Sequence, residues 1–573
     1  MRDREQAVSL TGAQIVWECL VREGVEVVFG YPGGTTLPLY DALPAYPIRH
    51  VLVRHEQGAA HMADGYARAG GRVGVALATS GPGATNLTTG IANAMLDSVP
   101  TVFITGQVPS TLVGSDAFQE IDITGITLPI TKHNARVSDV RDLAWTLREA
   151  FLVARSGRPG PVLVDVCRDV QQSATDFVWP EAVDLPGVQS PPPLPPSQVD
   201  RVAEWMAAAE RPVILAGAGV VRAGASAALQ ALAERTETPV VLTLLGLGGF
   251  PASHPLCLGL LGMHGHPFAN QAVQEADLLL TLGARFDDRI TGRRETFSLD
   301  SRKVHVDLDP SEIGKNVPAD LGLLADVREA VEALLPRVPP RRHPAWIERI
   351  DSWRRESRAR DILHRPENGS LHPARVMSEL WQATGGEAVI VTDVGQHQMW
   401  EAQYYRHDHP RSLITSGGLG TMGFALPAAI GAKTARPEAE VWVVAGDGGF
   451  QMTQCELATL QQERLDLRIA ILRNGYLGMV RQWQELFYER RYTATPLLSP
   501  DFVVLAHAYD IPARRVSAGE DTRAAIAQAR HARGPFLLEF QVEPEATVYP
   551  MVPPGSDLGD MIRRPPPAEE VQA

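Results

Sequence analysis

Asp447 and Asn474 are the residues whose type and spacing point most directly to chemistry. Asp447 lies in VWVVAGDGGF (441–450), a buried-strand pattern closed by a glycine-rich turn, and Asn474 lies in LRIAILRNGYLGM (467–479). In a right-handed βαβ unit both turns fall at the carboxyl ends of neighbouring parallel strands, where open α/β sheets bind ligands. The fold then sets the two side by side across 27 residues of sequence. An Asp carboxylate, an Asn carbonyl and the backbone carbonyl of Tyr476 are hard oxygen donors that suit Mg²⁺, with phosphate oxygens and water completing the octahedron. Gly446, Gly448 and Gly449 let the backbone approach a diphosphate, whose charge the following helix N-terminus favours. A GDG turn alone is equally a tight turn with a capping Asp; Asn474 at the matching place favours the metal reading.

Glu56 is the second candidate. HVLVRHEQGAAHMADGYARA runs from a strand (50–55) straight into a helix, with Glu56 at its start and Ala60, Ala63 and Ala67 on a narrow face. Such a face predicts close approach by another helix and a carboxyl group held away from water, able to trade a proton with a ligand nitrogen. The plainer alternative is an acid that complements the positive end of the helix dipole, and Glu56 taken by itself favours it.

The elements that must hold these residues follow from the rest of the chain. It has 573 residues, 45% hydrophobic and 21% charged, a globular composition of several domains. A net charge of −14 repels phosphate backbones and argues against nucleic-acid binding. No apolar run reaches membrane-helix length, and MRDREQAVSL lacks the apolar core of a signal peptide. Cys19, Cys167, Cys257 and Cys455 form no CxxC pair, so a reduced, cytoplasmic setting without membrane contact is expected. Apolar runs of four to eight residues alternate with amphipathic stretches throughout, predicting an α/β fold of three doubly wound parallel-sheet domains. The proline-rich 184–197 and the arginine-rich 337–371 read as linkers, the second holding one exposed helix. They divide the chain into domains at 8–183, 198–336 and 372–550. The stretch 551–573 reads as a mobile tail or lid.

FGYPGG (29–34), RHEQGAAHMADGYAR, TSGPGATN (79–86), TGQVPS and DAFQE (116–120) resemble the first domain of thiamine-diphosphate enzymes of the acetolactate synthase family. GMHGHPFAN, GARFDDRITG, DVGQHQMW, GGLGTMGFALPAAIG, GDGGFQMT, NGYLGMVRQWQELFYERRY and MVPPG continue the match in order, over about residues 8–560. The resemblance is most specific to the catalytic, large subunits of that family. It implies pyrimidine-binding, central FAD-binding and diphosphate-binding domains, with the cofactor held between the first domain of one subunit and the third of another. Glu56 would favour the imino tautomer of the aminopyrimidine, which takes the thiazolium C2 proton. The activated cofactor would then decarboxylate pyruvate and join the two-carbon unit to a second 2-keto acid, pyruvate or 2-ketobutyrate, in branched-chain amino-acid synthesis.

The resemblance also carries over site residues. Gly34 and Gln119 match positions near the reacting centre. Val394, Gly395, Gln396, His397, Gly420, Leu477, Gly478 and Met479 join the Asp447 and Asn474 turns around the diphosphate. Met422 would wedge the cofactor into a bent shape, although alone it reads as core packing. Arg158, Gly217, Gly219, Met263, His264, Gly265, Gly283, Arg285, Asp307 and Asp326 match positions that hold FAD, a structural group here. Trp483 would shape the second-substrate pocket, and Arg289 would pair with the incoming carboxylate. A homodimer or tetramer and a small regulatory subunit are implied as partners.

His264 and His266 invite a zinc reading, but no Cys or third His stands at ligand spacing. GAGVVRAG (217–224) is equally a plain strand-to-helix turn. Arg473 stands where many relatives carry Asn, and Gly449 predicts slightly looser diphosphate contacts. A pyruvate oxidase or glyoxylate carboligase type, or a non-catalytic cofactor-binding paralogue, are the alternative functions. Trp483 and Arg289 disfavour the first two, and retention of Glu56, Asp447 and Asn474 disfavours the third.

Overall fold

The computed structural model describes residues 8–566 except 186, 189, 190, 366–368 and 519. Three six-stranded parallel sheets form its framework. The first contains β1 (Val27–Gly30), β2 (Arg49–Leu52), β3 (Gly74–Ala78), β4 (Thr101–Gln107), β5 (His133–Val137) and β6 (Pro161–Cys167), in spatial order 2-1-3-4-6-5. The second contains β7 (Pro212–Ala216), β8 (Val240–Leu242), β9 (Cys257–Leu260), β10 (Leu278–Leu282), β11 (Arg302–Asp307) and β12 (Leu321–Leu324), in order 9-8-7-10-11-12. The third contains β13 (Val389–Thr392), β14 (Leu413–Thr415), β15 (Val441–Gly446), β16 (Arg468–Arg473), β17 (Ala513–Val516) and β18 (Phe536–Gln541). Its order, 14-13-15-16-18-17, repeats that of the first sheet strand for strand. Central strands such as β15 and β10 are apolar and buried along almost their whole length because helices cover both faces.

Six helices position the site: α1 (Glu56–Gly70), α2 (Thr88–Leu96), α3 (Pro344–Ala359), α4 (Ala425–Ala435), α5 (Asp447–Thr453) and α6 (Gly478–Phe487). Helix α1 starts where the His55 side chain accepts from Gln57 N–H and stops at Gly71, whose φ of 70° only glycine adopts cheaply. Its tightest contact is with α4 of the same chain. A Cβ added at Gly65 would lie 2.0 Å from the Ala428 carbonyl oxygen, and one at Gly431 1.9 Å from that of Met62. The alanine face also admits a close helix, as expected, with Ala60 against Gly90 of α2, and Ala63 lies against Gly74 of β3. Glycine beats alanine here because it lets whole backbones touch. One apolar core therefore runs through first and third domains, joining Val51, Ala59 and Met62 to Ala428, Val443 and Ile469.

Linker 337–371 carries the expected helix, α3, mostly solvent-facing but anchored by buried Trp346 and Ile350. The tail differs from the expectation over its described part. Met551 and Ile562 exchange two backbone hydrogen bonds, and Met551, Val552 and Leu558 are buried, the last two against the central domain. A few well-placed apolar anchors suffice to dock a segment whose average composition is polar. Residues 567–573 lie outside the described residues.

Candidate active site

In the third domain, strand order reverses between β13 and β15, the switch point at which such sheets bind ligands. β13 delivers Val394, Gly395, Gln396 and His397; β15 delivers Gly446 and Asp447; its neighbour β16 delivers Asn474. A Cβ at Gly446 would meet the His397 ring at 2.9 Å, so the two exits touch. Asp447 is buried, its Oδ2 accepting from Gly475 N–H (3.0 Å) and the Ser499 hydroxyl (2.9 Å). Burial pushes its carboxyl pKa up, and those two donors pull it back. Asn474 Oδ1 accepts from Tyr476 N–H (3.0 Å), and its Nδ2 faces Gln396 Oε1 at 3.4 Å. Gln396 in turn donates to Gln482 Oε1 and the Ala546 carbonyl, both at 2.8 Å, locking the loop. A Cβ at Gly478 would strike Gln396 at 2.2 Å.

The glycines keep a cradle open. A Cβ at Gly448 would meet Leu477 at 2.9 Å and come within 3.6 Å of the Met422 methyl, so Met422 reaches over this turn. Gly449 backs directly onto an acid: a Cβ there would sit 2.3 Å from Asp393 Oδ1. Asp393 is a buried acid that sequence reading missed, accepting from the N–H groups of Val394, Gly423 and Ala425 and thereby joining the β13 exit to the Gly420–Met422 loop. Burial raises its pKa to about 6. His397 is buried, its pKa lowered to about 4 by desolvation, and its Nε2 has no hydrogen-bond partner. A buried Asp, an Asn, a backbone carbonyl and an unpartnered polar atom beside a glycine cradle fit Mg²⁺ and a diphosphate. Among the described residues no group of three or more His, Cys, Asp or Glu could hold a metal, which leaves this mixed oxygen set as the candidate. Arg473 turns away to Glu539 at 2.8 Å.

Next to this cradle opens a cavity of about 920 Å³. Its walls include Val394, Gly395, Gly420, Met422, Met479 and Trp483 from the third domain, with Arg158 from the first. The central domain adds Gly219, Met263, His264, Gly283, Arg285, Arg289, Asp307 and Asp326. Gly217 and Gly219 at the exit of β7 touch Gly283 at the exit of β10, where a Cβ at Gly219 would lie 2.6 Å from the Gly283 Cα. These adjacent strands form the switch point of the central sheet. Gly265 lies behind the wall, its Cβ position filled by the Gly262 and Leu260 backbone. Asp307 is raised to about 6 by burial, and Asp326 caps the following helix by accepting from Arg328 N–H at 2.8 Å. Arg158 is partly committed, to Ser98 Oγ (2.7 Å) and Glu312 (2.7 Å). Arg222, in GAGVVRAG, was not singled out from sequence. Its side chain reaches in from an exposed position on the cavity rim, donates to the Asp97 carbonyl, and has its pKa lowered to about 10 by desolvation and by Arg68, Arg158 and Arg285 nearby. A long cavity with arginines at one end fits a dinucleotide such as FAD. His264 Nδ1 lies 3.0 Å from the Pro550 carbonyl oxygen while His266 stacks on Phe268, so the two rings serve different neighbours.

The first-domain residues stand apart. Glu56, Gly34 and Gln119 do not line this cavity. Glu56 is half-buried rather than sequestered, and its Oε2 accepts from Asn86 Nδ2 at 2.9 Å. A second acid stands at the start of α1 beside Glu56: Glu456 of the third domain accepts from Arg54 N–H (3.0 Å) and His55 N–H (3.1 Å) and would be 2.3 Å from a Cβ at Gly58. Glu56 lies in the first turn of α1, so its charge faces the positive end of the dipole as well. Gly34 is exposed with open space around it; Gln119 has φ of 61° and packs against Gly81. Phe118 beside it is 87% exposed.

Known proteins resemble the chain over nearly its whole length. Residues 10–126, 199–334 and 393–540 match the N-terminal TPP binding, central and C-terminal TPP binding domains of thiamine pyrophosphate enzymes. The acetolactate synthase large subunit of Mycobacterium tuberculosis is 49% identical over 558 residues, 96% of this chain and 90% of the relative. That of Corynebacterium glutamicum is 47% identical over 564 residues, with the same coverage. The probable acetolactate synthase large subunit of Methanocaldococcus jannaschii is 45% identical over 568 residues, 97% of this chain and 95% of the relative. The chain therefore belongs to the thiamine pyrophosphate enzyme family and, within it, to the acetolactate synthase large subunits.

Proposed function

We propose that this chain decarboxylates pyruvate and ligates the two-carbon unit to a second 2-keto acid, pyruvate or 2-ketobutyrate, in branched-chain amino-acid synthesis in the cytoplasm. The observation that carries the reading is the cavity that unites the diphosphate-side Val394, Gly395 and Met422 with Trp483 and Arg289. Thiamine diphosphate, when bound, supplies a carbon acid that adds to keto groups and stores the electron pair released on loss of CO₂. Asp447, Asn474 and the Tyr476 carbonyl hold the Mg²⁺ that carries its diphosphate. Met422 shapes the space beside Gly448. Glu56 exchanges a proton with a ring nitrogen of the pyrimidine half, assisted by Gln119 and Gly34 near the reacting carbon.

Because Glu56 lies outside its own chain's cavity, it serves the cavity of a second copy, which makes a homodimer the minimal active unit. Exposed apolar side chains on both sides of that contact, Tyr31, Leu37 and Phe118 on one and Met452, Val480 and Leu498 on the other, support such burial. Arg289, exposed at the cavity wall with Asp288 at 3.4 Å, receives the incoming carboxylate, and Trp483 contacts its alkyl group. Arg158, Arg222 and Arg285 would hold FAD, in a structural role, since the net reaction transfers no electrons. A small regulatory subunit completes the assembly. Incubation with pyruvate, thiamine diphosphate, Mg²⁺ and FAD tests the reading by yielding 2-acetolactate. Acetate or acetyl phosphate instead would assign an oxidase, and no product a scaffold.

A further inference from the structure

A second cavity, of about 480 Å³, shares no lining residue with the first. It lies where four parts of the chain meet: the central domain between His254 and Phe268, linker helix α3, the Ala402–His407 segment of the third domain, and the docked tail at Tyr549–Pro550 and Arg563–Arg564. Six arginines line it against one acid, Asp361, in a chain whose net charge is −14. Three of the six are accounted for. Arg354 donates to the carbonyls of Pro255 (2.9 Å) and Cys257 (2.7 Å); Arg563 pairs with Glu356 at 2.6 Å, and Arg360 faces the same acid at 3.9 Å.

The other three have no acid partner among the described residues: no carboxylate stands within 4.0 Å of Arg358, Arg406 or Arg564. Arg358 contacts His364 at 3.2 Å, Arg406 lies over the Trp381 ring at 4.6 Å, and Arg564 lies over Tyr549 at 5.2 Å. Ring stacking holds the Arg406 guanidinium in place and leaves its N–H edge free for a planar or tetrahedral oxyanion, while Arg358, donating through Nε to His364, and Arg564, which also bonds the Tyr404 hydroxyl, keep further N–H groups to add to the grip. The positive field is felt nearby: burial first, then Arg354 and Arg406, hold His266 neutral with a pKa of about 4, against the opposing pull of Asp361. The size matches a small organic ligand.

We propose that this cavity is a binding site for a phosphate-bearing small molecule, gripped by Arg358, Arg406 and Arg564. Its occupant would clamp the linker helix and tail to the third domain. Gln403, another lining residue, donates to the carbonyls of His264 (2.7 Å) and Tyr549 (3.1 Å), so the site adjoins the His264 wall of the larger cavity. The inference stands apart from the proposed reaction, since it needs only binding.

Calorimetric titration of the holoenzyme, saturated with thiamine diphosphate, Mg²⁺ and FAD so that their own sites are closed, tests it with two probes, ADP and inorganic pyrophosphate. The expected result is saturable binding of one equivalent per chain, weakened at least about tenfold, or ~1.4 kcal/mol, by the Arg406→Gln/Arg564→Gln pair. Arg358→Gln, on an exposed position of α3, gives the same direction without touching packed residues, and retained flavin reports that each variant is folded. Tighter ADP than pyrophosphate would place a nucleotide there; equal affinity would place a free phosphate compound, and either supports the site. Failure of both probes to saturate below about 1 mM, or binding unchanged in the variants, would overturn it.

Discussion

The first and third domains share one strand order, yet only the third is finished as a site. At its switch point the polar groups are held by fixed partners. Asp447 is pinned by Gly475 and Ser499, Gln396 by Gln482 and Ala546, and Asp393 ties two loops together. At the corresponding point of the first domain, Gly34 has open space around it, Gln119 packs against the Gly81 backbone, and Glu56 has one hydrogen bond to Asn86. A duplicated framework thus carries a pre-organised anion cradle at one end and an open face with one lightly held acid at the other. Binding a diphosphate needs many fixed donors, whereas moving a proton needs a single group that is completed only when its target arrives.

The largest effect should come from separating those halves. Glu56→Gln and Asp447→Asn should each lower turnover by about 10²-fold or more. If the site joins two copies, a twofold dimer of one variant with the other has one site carrying both changes and one carrying neither. Random reassociation of equal amounts should then recover about a quarter of wild-type activity. Steady-state assay of mixed and unmixed samples measures this, and no recovery on mixing would mean that each chain completes its own site.

Within one chain the first domain also serves the third. Arg68 is buried between Asp64 (2.5 Å) and Asp97 (2.8 Å), and Asp97 accepts from Gly417 N–H (3.0 Å) and Gly418 N–H (2.7 Å), at the start of the loop that bears Gly420 and Met422. Asn93 adds the Ser416 hydroxyl at 2.6 Å. Asp97→Asn should cost about 2 kcal/mol of stability, the scale of losing a buried charged acceptor, and weaken thiamine diphosphate binding. Chemical denaturation and cofactor titration of the apoenzyme check both. Wild-type values for each would show that the loop is held without its first-domain brace.

The same contrast explains what could be read in advance. Asp447 and Asn474 are legible because strand, glycine turn and helix follow one another within a few residues, and topology does the rest. Ser499, 52 residues from Asp447, and Asp97, 320 from Gly417, bear no local pattern that announces their partners. Arg222 sits inside a motif whose glycines draw the eye. The tight contact behind Gly449 is invisible in sequence because the carboxylate there, Asp393, cannot be placed without the fold. The shared strand order is invisible in the sequence since it is a likeness of topology, not a sequence period. Average composition misjudges the tail, because it says nothing about where Met551, Val552 and Leu558 point.

The smallest effect should be one of choice rather than rate. Trp483 lies on α6, half-buried, with Phe487 at 5.5 Å holding its ring edge-on and the indole turned to the cavity. It belongs to the finished half and, in the proposed reaction, meets only the second keto acid, whereas the proposed role of Glu56 comes before that substrate arrives. Trp483→Leu should therefore lower the preference for 2-ketobutyrate over pyruvate by about fivefold, near 1 kcal/mol for one methylene, and leave the pyruvate-only rate within about twofold. Product ratios from a competition between the two acids read this directly. An unchanged ratio would move the specificity surface elsewhere on the cavity wall, and a loss of the pyruvate-only rate to match Glu56→Gln would erase the division between the two halves.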